Sequence, residues 1–259
     1  PRVKLSANWM AACGEAGEDA ALYDTVKAVG MELCPALGIS IPVGKDSLSM
    51  RTKWSDNGST KQVTAPVSLI VTAFASIADV RPTLTPQLIT QEAGQPLDTT
   101  LILVDLGEGK KRMGGSMLAQ VIGQFGNDVP DLDNPAMLKA TVAAVNQLRA
   151  EGKLLAYHDR GDGGLWATVC EMAFAGHTGV ALNVDMLVAE STGVDDSRAD
   201  TGDAKNWAGQ VGERRNELTL KALFNEELGV VLQVRTAERN EVMQVLREHG
   251  LSKFSHFIG

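Results

Sequence analysis

One stretch constrains the fold of this chain more than any other: Leu154-Leu155-Ala156-Tyr157-His158-Asp159-Arg160-Gly161-Asp162-Gly163-Gly164-Leu165. An apolar run stops at a cluster of charges and glycines. Leu165, Val169, Met172 and Ala173 then recur at spacings that share one helical face. The pattern predicts a strand, a tight turn and a helix N-terminus. Such a junction turns backbone N–H groups and the positive end of a helix dipole toward whatever lies above it. Glycines let phosphates approach the backbone, and Asp159 and Asp162 add hard oxygen donors of the kind that Mg²⁺ accepts. Two readings follow. The junction is a nucleotide-phosphate and magnesium site, or Asp162 caps the helix and the glycines make the turn.

The chain has 259 residues, enough for one large domain or two ordinary ones. Its formal net charge of −8 argues against a nucleic-acid binder, which needs a basic surplus. It does not argue against nucleotide binding, because metals and backbone amides hold phosphates without net positive charge. Cys13, Cys34 and Cys170 are scattered, with no metal-ligand or disulfide spacing. They read as buried small hydrophobes in a reducing, cytoplasmic setting. No window reaches the roughly 18 apolar residues of a membrane span, and no signal peptide is visible. The start at Pro1 and the strand-like end at Phe254 to Gly259 read as cut ends.

Glu18 to Leu33 carries Leu22, Val26, Val29 and Leu33 on one helical face, ended by Pro35 and Gly38. Ile39 to Val43 reads as a short strand leading into a polar turn at Gly44-Lys45-Asp46-Ser47. Alternation from Ser47, with Leu48, Met50, Thr52 and Trp54 on one face, predicts a half-buried strand. Asn57-Gly58 marks a hairpin turn, and the return strand runs through Val63 and on from Pro66 to Ala75. The proline- and glycine-bearing segment from about Asp79 to Asp98 is a connector, which sets domains at 1–90 and 91–259.

The second domain opens with a strand from Thr99 to Val104 and a helix near Met117. Asn134 caps a further helix with Pro135 at its first position, running to about Glu151. Its face is Met137, Leu138, Val142, Val145 and Leu148. The helix after the Asp159 junction ends at Gly176. The polar segment from Ala189 to Glu217 reads as a mobile surface insertion. Leu228 to Val234, Ala237 to Glu248 and Lys253 to Ile258 form a βαβ-like unit.

Three further groups are candidates for chemistry. Gly44-Lys45-Asp46-Ser47 departs from the phosphate-binding P-loop pattern, yet Gly44, Lys45 and Ser47 can contact a phosphate or carboxylate; otherwise they form a solvated turn. Gly114, Gly115 and Ser116 at a helix start are either an anion site or ordinary capping. His158 is either a general base or a partly buried structural residue. No nucleophile elbow appears, and Cys170 lies on the apolar face of its helix.

At these residues the sequence resembles the phosphoribosylformylglycinamidine synthases of the long, single-chain bacterial type. The resemblance rests on Lys4 to Ala12 (Lys-Leu-Ser-Ala-Asn-Trp-Met-Ala-Ala), Gly17-Glu18-Asp19-Ala20 and Ile41-Pro42-Val43-Gly44-Lys45-Asp46-Ser47. It continues in the Leu154 to Leu165 junction and in Leu223-Phe224-Asn225-Glu226-Glu227-Leu228-Gly229. It implies an α+β fold: two domains with mixed β-sheets and packed helices, of the aminoimidazole-ribonucleotide-synthetase type, the N-terminal-type part incomplete. It further implies a glutamine amidotransferase ligase of purine biosynthesis. In that reaction ATP activates the amide oxygen of formylglycinamide ribonucleotide, and glutamine-derived ammonia gives the amidine. This chain corresponds to part of the second synthetase half, which holds an auxiliary Mg²⁺-bound ATP or ADP.

On that resemblance Asp159 is a metal ligand. Gly161 contacts the nucleotide where the family usually has Ser, and Ser47 matches a substrate-phosphate residue. No catalytic residue is carried over, and the piece by itself is expected to be inactive. Its partners are small-molecule nucleotides and the rest of the same polypeptide, with neither nucleic acid nor membrane. A non-binding scaffold segment and a small-molecule kinase of the same superfamily are the rival readings.

Overall fold

In the computed structural model, which describes residues 3–188 and 207–259, the chain divides into two units, Pro1–Arg81 and Pro82–Gly259. The architecture is α+β.

Unit 1 is organised by its most apolar strand, β1 (Lys4–Met10), with Leu5, Ala7 and Trp9 alternating into the interior. Helix α1 (Glu18–Lys27) follows, then a π-helical turn (Ala28–Leu33) and α2 (Cys34–Leu37). The helical path therefore continues through Pro35, which sits in the first turn of α2. Gly38, at φ 72°, is the residue that ends it. Strand β2 (Ser40–Ser47) pairs in parallel with β1, and β5 (Ser68–Phe74) pairs with β1 antiparallel, giving a mixed sheet ordered β2-β1-β5.

Gly44 to Ser47 is not a turn but the end of β2, in register with Ala7 to Met10. The alternating segment is not half-buried either: β3 (Arg51–Asp56) and β4 (Ser59–Thr64) form a hairpin exposed along almost its whole length, with Trp54 42% exposed. Two-residue periodicity fixes which side chains share a face, but not whether anything covers it. The turn itself follows the sequence, since Asn57 and Gly58 both adopt positive φ (51° and 79°) as a two-residue hairpin of the primed type requires.

Unit 2 is built on β8 (Thr99–Asp105) and β10 (Gly229–Arg235), both buried on their two faces, which accounts for their unbroken apolar runs. A small ladder, β6 (Gln91–Glu92) with β7 (Gln95–Pro96), precedes them. The short helix α3 (Met117–Val121), α4 (Pro135–Ala150), β9 (Ala156–Asp159) and α5 (Gly164–Gly176) come next. Then follow α6 (Asp185–Val188), α7 (Trp207–Phe224), α8 (Arg239–Glu248) and β11 (Ser255–Phe257). The sheet is antiparallel and ordered β11-β8-β10-β9. Because β10 and β11 each run antiparallel to β8, they are parallel to one another. The βαβ-like unit is thus a split one, with β8 lying between its strands.

One core layer joins Ile102, Val104, Val230 and Leu232 to α4 and α8; the other joins Leu101, Leu103 and Val231 to α5. Leu88 is buried in the second layer, and Ile89 exchanges hydrogen bonds with the Gln233 side chain, so much of the expected connector belongs to unit 2. Of the insertion expected at 189–217, residues 189–206 lie outside the described residues, and 207–217 is helical. Helix α5 ends with His177 in the left-handed conformation, one residue beyond Gly176, which itself packs against Leu88. Cys34 is buried as expected, while Cys13 and Cys170 are only half-buried. Among the described residues no helix is long and apolar enough to cross a membrane.

His256, in the edge strand β11, is held below its ordinary pKa by burial, with Asp105 opposing and Lys111 reinforcing the shift. The unfolded chain then binds the proton more readily than the folded one. Stability should be fully present above the ordinary histidine value and fall as pH drops from there through the lower folded value. Melting curves recorded from pH 7.5 downward, compared with His256→Gln, check this; an equally steep loss in the variant would remove His256 as its source.

Candidate functional site

The alternation of β9 sorts the residues of the opening motif. Ala156 and His158 face α5, whereas Tyr157 and Asp159 face α4. His158 Nε2 lies 2.6 Å from the carboxylate of Glu171 on α5. It is therefore a partly buried residue tied to a helix, on the opposite face of β9 from Asp159.

On the α4 side a groove of about 370 Å³ opens beside Asp159, lined by Leu138, Val142 and Val145 of α4 together with Tyr157, Arg160 and Leu228. Val142 was expected in the core. It is instead 53% exposed and lines this groove, while Thr141 and Ala144 take the buried positions of α4. The Tyr157 hydroxyl donates to Asp159 Oδ1 at 2.5 Å. Burial, and then this bond, raise the phenol above its ordinary pKa, so it stays a donor. The groove is an apolar wall that ends in the exposed carboxylate of Asp159, the mixture of apolar lining and a few polar groups that small-molecule sites use.

Arg160, only 5% exposed, holds the strand ends behind this groove. Its guanidinium pairs with Asp105 at 2.5 Å and donates to the carbonyls of Glu227 and Leu228. Asp105 in turn accepts the N–H groups of Gly107 and Gly109. Glu227, fully buried, grips Arg112 through Nε at 2.7 Å and Nη2 at 2.8 Å, and also accepts the Arg112 backbone N–H. Arg112 also reaches Asp133, which Lys110 contacts as well. Paired and hydrogen-bonded on every side, these charges are stable in the interior.

Gly114, Gly115 and Ser116 lead into α3. Their backbone N–H groups bond to the carbonyls of Asp128, Phe125 and Met113, and the Ser116 hydroxyl caps α3 by accepting from Ala119 N–H at 3.2 Å. The capping reading is therefore what the geometry contains. Asp162 does not cap α5. The N-cap position is Gly163, at φ 82°, with no side-chain cap, and its N–H donates to Glu226 Oε1 at 2.8 Å. The same Oε1 accepts the N–H of Met117 at 2.8 Å, so one carboxylate joins the two glycine turns. Gly161 is open, with nothing within 4 Å of where a Cβ would stand.

In unit 1 the Lys45 ammonium donates to Ser47 Oγ at 3.0 Å, and Ser47 Oγ approaches Asn8 Oδ1 at 3.5 Å. Parallel pairing of β1 and β2 sets Asn8 opposite Lys45, a juxtaposition the sequence did not reveal. Gly44 stands opposite Ala7, with open space at its Cβ position.

Asp159 and the glycine turns are legible in the sequence; the roles of Asp105, Arg112, Arg160, Glu226 and Glu227 are not. The signals available for the last two were their place in the Leu223 to Gly229 motif and an adjacent pair of acids just before an apolar strand.

Comparison with known proteins fits this layout. Residues 1–76 match the FGAR-AT PurM_N-like domain, and residues 99–259 match the AIR synthase related protein, C-terminal domain. Among solved structures, HypE of E. coli, a hydrogenase maturation protein, is 20% identical with a TM-score of 0.61, covering 100% of this chain and 66% of HypE. A HypE in complex with ATP is 18% identical, with a TM-score of 0.57, covering 100% of this chain and 64% of that one. PurLQS of Thermotoga maritima is 10% identical, with a TM-score of 0.53, covering 98% of this chain and 33% of that one. The chain thus spans about a third of the PurLQS chain and just under two thirds of HypE. These likenesses show a common fold. With the match over residues 99–259, more than half its length, the chain belongs to the AIR synthase related protein family by its C-terminal domain.

Proposed function

We propose that this chain is a nucleotide-holding part of an ATP-dependent C–N ligase of the phosphoribosylformylglycinamidine synthase type. The observation that carries this reading is the succession along one chain of an FGAR-AT PurM_N-like domain and an AIR synthase C-terminal domain. HypE shares the fold as well as PurLQS does, and structures of both a HypE and a PurL are known with ATP. The match to the FGAR-AT model over residues 1–76 favours the amidating enzyme over a HypE-like one.

In this reading the groove beside Asp159 takes the nucleotide, with Gly161 leaving its phosphates room to approach. Among the described residues no group of three or more His, Cys, Asp or Glu side chains is arranged to hold a metal. Mg²⁺ bound with nucleotides commonly takes one or two carboxylates, the rest of its shell being phosphate oxygens and water. Asp159 fits as one ligand of such a shared ion, and the ion would supply charge neutralisation for the phosphates. Gly44, Lys45 and Ser47 would contact a phosphate of the substrate in unit 1, the lysine as a point charge and the serine as a hydrogen-bond partner.

Titration calorimetry of the 259-residue chain with Mg-ADP tests the proposal. Saturable binding is expected, together with a stabilisation of about 2.7 kcal/mol at a hundredfold excess over Kd. Asp159→Asn keeps the shape and removes the charge, so both should largely disappear. Absence of binding in the parent chain would sink the nucleotide reading, and undiminished binding in the variant would take Asp159 out of the site.

A further inference from the structure

Two glycine turns meet at one oxygen atom. Glu226 Oε1 accepts the N–H of Met117, which follows the Gly114-Gly115-Ser116 turn, and the N–H of Gly163, which ends the Gly161-Asp162-Gly163 turn; both bonds are 2.8 Å. The two turns are 47 residues apart in the chain, and Glu226 belongs to neither of them. Glu226 is itself fixed from both sides. Asn225, 2% exposed, donates to the carbonyls of Lys221 and Ala222 at the end of α7 and accepts the N–H of Glu227 at 3.3 Å. Glu227 is held by Arg112. Gly164 lies so close to this segment that an added Cβ would stand 2.6 Å from the Asn225 carbonyl oxygen.

An ionised carboxylate at the start of α5, a thirteen-residue helix without a side-chain cap of its own, meets the uncompensated positive end of that helix. Charge-assisted bonds of this kind are about twice as strong as neutral ones. Only three residues separate Gly163 from Asp159, so whatever fixes the Gly163 amide also fixes the path of Gly161 away from the end of β9.

We propose that Glu226 is a positioning residue: a half-buried side-chain carboxylate that ties the Gly163 turn to the Met117 turn and so sets the backbone on which Asp159 and Gly161 are presented. The binding consequence rests on the nucleotide reading above; the structural one does not. With Glu226 in place, the Gly163 amide is already occupied, and phosphates are confined to the Asp159–Gly161 side of the turn.

The test uses the full chain with Glu226→Ala and Glu226→Gln. In Glu226→Ala the amides of Met117 and Gly163 should lose hydrogen-exchange protection selectively, while β8 and β10 remain protected. Excess sodium acetate, a carboxylate able to enter the vacated position, should restore protection and melting temperature in this variant; sodium chloride at the same ionic strength should not. Glu226→Gln retains an acceptor oxygen without the charge and should fall between the two. Mg-ADP affinity should drop about tenfold in Glu226→Ala, in line with the loss of one charge-assisted bond, and recover with acetate.

Unchanged exchange at both amides in Glu226→Ala, or no difference between acetate and chloride, would overturn the proposal. If the parent chain binds no Mg-ADP, the nucleotide reading fails, while the exchange and acetate measurements still decide the role of Glu226. If the parent chain binds and Glu226→Ala binds equally well, only the positioning role fails.

Discussion

Replacing Glu227 by Ala should cost about 3 kcal/mol of folding stability, the lower end of the range for breaking a buried ion pair. Glu227 is fully buried, and its carboxylate accepts three bonds from Arg112: Nε, Nη2 and the backbone N–H. Removing it leaves a guanidinium that is 10% exposed with Asp133 as its remaining charged partner, and Asp133 is itself 30% exposed. That residual pairing is why the lower end applies. The damage extends beyond Arg112. The Cβ position of Gly107 lies 2.6 Å from the Cβ and Cγ of Glu227, so the stem of that side chain also fills space beneath the 105–112 loop. Urea unfolding at neutral pH measures the loss. Replacing both partners, as in Arg112→Met with Glu227→Leu, should recover much of it, because two apolar groups strand no charge. A loss below about 1 kcal/mol for Glu227→Ala, the size of an exposed pair, would mean that the pair behaves as a surface bridge.

The second large effect is expected at Gly164. Alanine there would have to hold φ near 69° while its Cβ stood 2.6 Å from the Asn225 carbonyl oxygen and 2.7 Å from that of Leu223. The left-handed conformation alone costs about 1–2 kcal/mol for a residue with a Cβ. Displacing packed backbone adds about 1–3 kcal/mol. The moving part would be the Leu223 to Asn225 segment, which carries Glu226, so the variant should also weaken the bonds to Met117 and Gly163. Gly161 is the control. Its Cβ position is open, so Gly161→Ala or Gly161→Ser should change stability by no more than about 0.5 kcal/mol. Thermal melts of the three variants check the contrast; a Gly164→Ala chain as stable as its parent would show that the turn yields.

The same contrast indicates how the opening motif divides its work. Within Asp159 to Gly164, Asp159, Gly161 and Asp162 are exposed, whereas Arg160 and Gly164 are buried and shape the fold. The exposed members are the ones most open to a ligand, whereas the guanidinium of Arg160 is taken up by Asp105 and the carbonyls of Glu227 and Leu228. A substitution that abolishes activity at Arg160 or Gly164 therefore says little about the ligand unless stability is measured beside it.

What the sequence by itself determined is local. Strand, turn and helix around Asp159 follow from where the apolar run stops and the helical period starts. Asn134 with Pro135 starts α4, the Asn134 side chain accepting from Ala136 N–H, and Asn57-Gly58 closes its hairpin. Each depends on residues a few positions apart, whose preferences act before any long-range contact forms. The α+β class followed from the resemblance. Tertiary structure decided the rest. Gly44 to Ser47 became strand because β1, 37 residues earlier in register, offers it a parallel partner. Val142 left the core because the groove at the sheet end leaves that part of α4 uncovered, so helical period marked a face but not its neighbour. Arg112 finds Glu227 across 115 residues, and Glu226 finds Met117 across 109. Pairing at such separations is set by which loops the sheet order β11-β8-β10-β9 brings to one end, and nothing in the spacing of single residues encodes that order.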